Sequence, residues 1–166
     1  MKLSKRQFTL AATALGSSLA FIDASAVIVA LPTMQKALHL GLTGEQWIFV
    51  SYSLALAALY LIGGALGDRY GHRKIFKRGV VGFALASALA GVSPNSALLI
   101  VARVLQGISG ALVTTNSLAW LRSIYGEDAG KAVGLWTSLT GISTILAPPL
   151  GGALTQWLSW RWIFYI

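Results

Sequence analysis

Five long apolar stretches alternate with short polar connectors along the chain, at about residues 8–31, 47–66, 75–92, 98–121 and 132–158. A bilayer core about 30 Å thick needs roughly 20 apolar residues at about 1.5 Å each, so every stretch predicts a membrane-spanning helix. A further apolar stretch starts at Trp162. The expected fold class is an all-α integral membrane protein, with about five transmembrane helices in one bundle over residues 1–166.

The connectors set the expected orientation, because Lys and Arg concentrate in short cytoplasmic loops. Lys2, Lys5 and Arg6 precede the first stretch; Arg69, Arg73, Lys74, Lys77 and Arg78 cluster around the second connector; Arg122 and Lys131 flank the fourth. Only Lys36 and Arg161 fall on the other side, and the turn Ser93, Pro94, Asn95 carries no charge. A cytoplasmic N-terminus follows, with Trp157, Trp160 and Trp162 as an outer aromatic anchor. The N-terminal stretch also resembles a secretory signal, with Ala24-Ser25-Ala26 as an A-x-A cleavage site. Against cleavage, the apolar run resumes as Val27 to Leu31.

Composition narrows the function classes. Of 166 residues 55% are apolar and 11% charged, against about 25% charged in an ordinary soluble domain. The net charge of +8 arises from short clusters between apolar runs, whereas a nucleic-acid binder gathers its cations on a water-facing surface. Nucleic acid is therefore not an expected partner; the lipid bilayer is. With no cysteine and two histidines, His39 and His72, disulfides and Cys/His zinc sites are excluded. No Walker loop or GxGxxG fingerprint suggests a cofactor, and no nucleophile, base and orienting group assemble into an enzyme site.

Small residues at four-residue spacing let membrane helices approach closely. Such ladders occur as Ala12, Gly16, Ala20, Ala24; as Ser51, Ala55 and Gly63, Gly67; as Gly82, Ala86, Ala90; and as Ser143, Ala147, Gly151. Asp23 shares the face of Gly16 and Ala20, and Arg103 that of Gly107, Gly110 and Ala111, so both side chains are expected to point into the bundle. Apart from the basic cluster that opens the third run, they are the only charges inside apolar runs. A carboxylate there costs about 2.5 kcal/mol or more, and such groups are usually functional. Asp23 lies roughly 12 Å from the outer end of its run and Arg103 roughly 8 Å from the start of its own, so their depths are comparable. Burial and a nearby guanidinium act on a carboxyl group in opposite senses, which makes Asp23 a candidate for exchanging a proton or holding a cation beside a permanently charged Arg103. A permanent structural salt bridge is the alternative.

Several segments together resemble the major facilitator superfamily, in particular its fourteen-helix drug:proton antiporters. Gly64-Ala-Leu-Gly-Asp68-Arg69-Tyr-Gly71-His-Arg73-Lys74 resembles motif A, GxLaDrxGrk, between helices two and three. Leu99 to Arg103 and on through Gln106, Gly107, Gly110 and Ala111 resembles motif B on helix four. Ser143 to Gly152, with Ala147, Pro148, Gly151 and Gly152, resembles the antiporter signature motif C on helix five. Ile22-Asp23 through Ala30-Leu31-Pro32 resembles LDxTVVNVALP on helix one, and Trp160-Arg161-Trp162-Ile163-Phe164 the WRWIF that leads into helix six. Three positions depart from these patterns: Ala147 replaces the glycine before the motif C proline, Ile28 the usual asparagine of helix one, and His72 a usual basic residue.

The resemblance implies alternating access by two six-helix bundles rocking about a shared site, of which this sequence supplies an N-terminal part. It implies proton-coupled efflux of small hydrophobic or cationic drugs across the cell membrane, with Asp23 and Arg103 in proton coupling. Motif A, through Gly64, Asp68, Arg69, Gly71 and Arg73, is then a gating latch. Its glycines permit a sharp turn, and Asp68 is expected to pair with Arg69, Arg73 or a neighbouring helix end. Pro148 is expected to kink helix five, with Gly151 and Gly152 allowing close packing. Gln106, Asn116 and Trp120 are candidate cavity residues. Two other readings stay open: a metabolite or nutrient facilitator of the same superfamily, and a short, non-transporting membrane protein.

Overall fold

The computed structural model describes residues 4–166; Lys2, counted above with the basic connector, lies outside them. Five helices follow one another: α1 (Lys5–Ala37), α2 (Leu42–Tyr70), α3 (His72–Gly91), α4 (Ser96–Tyr125) and α5 (Ala129–Trp157). A six-residue 3-10 segment, Trp160–Tyr165, comes after them where a sixth apolar stretch was expected.

Local chemistry sets the ends. Ser4 caps α1 in a reciprocal pair with Gln7, each side chain taking the other's backbone N–H, which satisfies two of the donors a helix start leaves free. Asn95 caps α4 by accepting from the Leu98 N–H at 2.9 Å. Between α2 and α3 the chain reverses on Gly71 alone, at φ +91°, a conformation that side chains with a Cβ rarely adopt.

Three stretches are long and apolar enough to cross a membrane: Lys5–Ala37, Leu42–Tyr70 and Ser96–Trp157, the last covering both α4 and α5. Helix α3 is 20 residues long, but Arg73, Lys74, Lys77 and Arg78 occupy its first two turns. Helix α1 runs six residues past Leu31, where its apolar run was expected to end. Pro32 lies inside it; a proline removes one N–H from the ladder but does not end a helix whose other backbone bonds are made. Helix α5 likewise continues through Pro148 and Pro149.

Helix α4 is the centre of the bundle, packed along α2 and α3 and crossing α1, while α1 lies along α5. At one end Ala26, Val27, Met34, Ile48, Leu99 and Ala102 form an apolar core that the 3-10 segment closes with Trp160, Ile163 and Phe164. Trp160 is thus buried, at 2% exposure, and stacks edge-on against Phe164. It belongs to the core rather than to the expected aromatic anchor; Trp157 and Trp162 are exposed. Toward the opposite end Phe76, Val113 and Trp120 make a second cluster. Between these two apolar regions lies a layer of polar side chains.

Candidate functional site

Asp23 sits in the middle of α1 and Arg103 two turns into α4, and the bundle brings them into direct contact. Arg103 Nη1 donates to Asp23 Oδ2 at 2.5 Å. Both side chains are buried, Arg103 completely. They face inward as the small-residue faces predict: a carboxylate and a guanidinium exposed to hydrocarbon would each cost several kcal/mol, whereas together they compensate.

Four residues complete the arrangement: Gln106, Ser87, Ile48 and Tyr52. Gln106, one turn beyond Arg103, accepts from Arg103 Nη1 through Oε1 at 2.9 Å, and through Nε2 donates to Asp23 Oδ1 at 3.0 Å and to Ser87 Oγ at 2.9 Å. Arg103 Nε donates to the Ile48 carbonyl at 3.2 Å, and its guanidinium lies 4.3 Å from the Tyr52 ring centroid, a cation–π distance. Tyr52 in turn donates from its hydroxyl to the Ala20 carbonyl at 3.3 Å. Four helices therefore hold the pair: α1 by Asp23, α2 by Ile48 and Tyr52, α3 by Ser87, α4 by Arg103 and Gln106. Arg103 Nη2 and Ser51 Oγ are two of the buried side-chain atoms that find no hydrogen-bond partner among the described residues. A cavity of about 210 Å³ adjoins Asp23 and Ser87, walled by Leu19, Ile22, Phe83 and Phe164.

Gln106 was a candidate cavity residue; it is instead the bridge between the two ions. Tyr52 and Ser87 were missed. Serine within the alanine-rich α3, and tyrosine in an apolar helix, carry no pattern that separates a polar contact from ordinary packing.

The motif A residues occupy the α2–α3 junction. Asp68 pairs neither with Arg69 nor with Arg73; its carboxylate lies 3.4 Å from Nε2 of His72, one turn on, an ion pair only when the ring is doubly protonated. The other ring nitrogen, Nδ1, lies 3.0 Å from Asn116 Oδ1. Asn116 Nδ2 donates to the carbonyls of Gly63 and Leu112, each at 2.9 Å, which fixes its amide orientation; Nδ1 of His72 must then carry the hydrogen of this contact. Asn116 is fully buried, so it ties the junction to α4 rather than lining a cavity. Gly67 makes that approach possible, since a Cβ there would collide with Asn116 Oδ1 and His72 Nδ1. Gly64 has open space around it and is not required for the turn. Arg69 and Arg73 lie over the rings of Tyr70 and Trp120, at 5.4 and 5.9 Å.

On α5, Ala147 and Gly151 are buried, and a Cβ on Gly151 would come within 3.0 Å of the Ala26 Cβ. Ser143 donates to Ser18 Oγ at 3.0 Å two turns away. These contacts seat the motif C face of α5 directly on α1, the helix that carries Asp23; Pro148 and Gly152 flank it, each half-buried.

Long apolar helices around a sequestered ion pair define a multi-pass membrane protein. Residues 13–166 match the Major Facilitator Superfamily, and the chain belongs to that family. It is 42% identical over 159 residues to the tetracenomycin C resistance and export protein of Streptomyces glaucescens, a match covering 95% of this chain and 30% of that protein. To the multidrug resistance protein Stp of Mycobacterium tuberculosis it is 40% identical over 160 residues, with the same two coverages. To the methylenomycin A resistance protein of Bacillus subtilis it is 39% identical over 155 residues, 92% of this chain and 33% of that protein. The chain thus spans about a third of the length of the curated relatives it matches, and it is homologous to drug-resistance and efflux transporters rather than to enzymes.

Proposed function

We propose that this chain takes part in proton-coupled export of small apolar or cationic drugs by alternating access. Its five helices cross the membrane, with the N-terminus and the α2–α3 junction on the cytoplasmic side, as part of an N-terminal six-helix bundle. Drug export is suggested by the relatives' names, and the basic clusters at one end of the bundle support the orientation.

The coupling mechanism rests on one observation, the buried Asp23–Arg103 pair braced by Gln106. With Asp23 ionised, its charge is balanced by Arg103. When Asp23 takes a proton, the ion pair is lost and Arg103, already carrying an unpartnered Nη2, must find a new acceptor. Because the pair joins α1, α2, α3 and α4, its proton state biases how those helices sit, which is the two-state element that coupled transport needs. The His72–Asn116 contact anchors the motif A junction to α4, the helix that carries Arg103, and so links the gating turn to the proton site. Ala147, Pro148, Gly151 and Gly152 hold α5 against α1 and limit leakage between them.

The test is ethidium movement in inverted membrane vesicles from cells expressing the whole open reading frame. An imposed proton gradient drives ethidium accumulation, and a protonophore abolishes it. Accumulation that survives the protonophore sinks the antiport reading.

A further inference from the structure

We propose that Tyr52 is a positioning residue for proton coupling: its ring face keeps the Arg103 guanidinium in the bundle when Asp23 takes a proton. The inference rests on the reading of Asp23 as the group that gains and loses a proton, and it assigns the place of the positive charge in the part of the cycle without the ion pair.

The surroundings of Arg103 leave one such place. Among the described residues Asp23 is the only carboxylate that pairs with it and the only buried one. Once that carboxyl group is neutral, three contacts remain on the guanidinium: the Ile48 carbonyl at 3.2 Å from Nε, Gln106 Oε1 at 2.9 Å from Nη1, and the face of the Tyr52 ring, whose centroid lies 4.3 Å away. The two oxygens are neutral acceptors, each meeting one N–H. The ring answers the charge as a whole, and its pull is strongest where water is kept out.

The fold fixes that ring. Tyr52 is 4% exposed and packs with Ala20 and Phe83, and its hydroxyl donates to the Ala20 carbonyl of α1 at 3.3 Å, which pins the far edge of the ring. Gly107 brings α4 against α2 at this level, since a Cβ there would collide with the Tyr52 carbonyl oxygen. Arg103 and Gly107 are one turn apart on the same face of α4, so the helix that carries the cation also provides the close approach that seats it on the ring.

The charge of Asp23 decides how much the ring contributes. With Asp23 ionised, the ring meets a pair of opposite charges, and repulsion between the carboxylate and the negative ring face offsets part of the attraction for the guanidinium. With Asp23 neutral the cation acts alone, and the same ring holds it more strongly. A tyrosine that only filled space would contribute equally in both states.

The experiment is hydrogen–deuterium exchange, read by mass spectrometry over α2 and α4 of the purified full-length gene product in detergent, with Asp23→Asn standing for the neutral carboxyl group. Asp23→Asn alone is expected to keep both helices protected. Tyr52→Leu is expected to speed exchange about tenfold more in Asp23→Asn than in the parent. Tyr52→Phe, which keeps the ring and loses only the bond to Ala20, is expected to have the same small effect in both. In Asp23→Leu, Arg103→Met, where neither charge is left, Tyr52→Leu reports packing alone and has its smallest effect. Unfolding of Tyr52→Leu, Asp23→Asn beside a folded Tyr52→Phe, Asp23→Asn is the expected result in its extreme form. Equal effects of Tyr52→Leu in the parent and in Asp23→Asn, a loss in Tyr52→Phe as large as in Tyr52→Leu, or unfolding of Asp23→Asn with the tyrosine in place overturns the proposal. No transport enters these measurements, so a failure here is distinct from a failure of the antiport reading, which the vesicle assay detects.

Discussion

Asp23 and Arg103 stand 80 residues apart in the chain and meet at 2.5 Å in the centre of the bundle. Their burial makes each dependent on the other. Removing one partner of a buried pair leaves an uncompensated charge and costs about 3–5 kcal/mol, whereas replacing both by apolar groups is often neutral or stabilising. Thermal unfolding in detergent is therefore expected to fall sharply for Arg103→Met, and to recover in the double variant Asp23→Leu, Arg103→Met. If the double variant is no more stable than the single one, the two side chains are not paired.

Gln106 serves both ions at once. In Gln106→Leu, Asp23 Oδ1, Ser87 Oγ and one Arg103 N–H lose their partner, at about 1–3 kcal/mol for each polar group left buried and unsatisfied. Ser87→Ala removes only the outermost bond of the chain, so its loss should be the smaller. Unfolding midpoints for the two variants check that order, and a larger effect for Ser87→Ala contradicts it.

At the α2–α3 junction two glycines are needed for different reasons. Gly67→Ala drives a methyl group into Asn116 and His72, where overpacking costs about 1–3 kcal/mol. Gly71→Ala meets nothing within 4 Å, and its cost, about 1–3 kcal/mol, is backbone strain at φ +91°. Trimming the neighbour separates them: Asn116→Ala is expected to relieve Gly67→Ala and leave Gly71→Ala unchanged. Stability measured across that double-mutant cycle reads the difference.

The His72 contact with Asn116 needs a hydrogen on Nδ1, which both the neutral Nδ1–H tautomer and the doubly protonated ring supply. Acidification should therefore leave the contact intact. Nitrogen NMR of labelled His72 is expected to report a hydrogen on Nδ1. Protonation only at Nε2 in the neutral form contradicts the assigned amide orientation of Asn116.

Orientation can be read by labelling, because the chain has no cysteine of its own. In intact cells an impermeant maleimide is expected to label Pro94→Cys, in the uncharged turn, and to reach Glu127→Cys only after permeabilisation. The reverse pattern would invert the bundle.

Much of this was legible in the sequence because the bilayer makes it so. Every apolar run reads as a helix, and two charges within such runs stand out against their cost, so Asp23 and Arg103 were visible as an inward-facing pair. The rest depended on tertiary contacts that sequence spacing does not encode. His72 and Asn116 are 44 residues apart, and nothing local marks an asparagine on α4 as the partner of a turn. Ser87 looks like one more small residue of a packed face until Gln106 reaches it. Trp160 has the composition of an interfacial anchor, yet the chain folds back after α5 and buries it. The first apolar run ends at Leu31, but the helix, with its remaining backbone bonds intact, continues through Pro32 to Ala37.

The central claim is that Asp23 carries the proton exchanged for drug. It is tested most directly by adding ethidium to the purified full-length protein in weakly buffered detergent solution and following the pH. The account predicts that the parent protein releases protons when ethidium binds and that Asp23→Asn, though folded, releases none. Proton release of the same size from Asp23→Asn would contradict it.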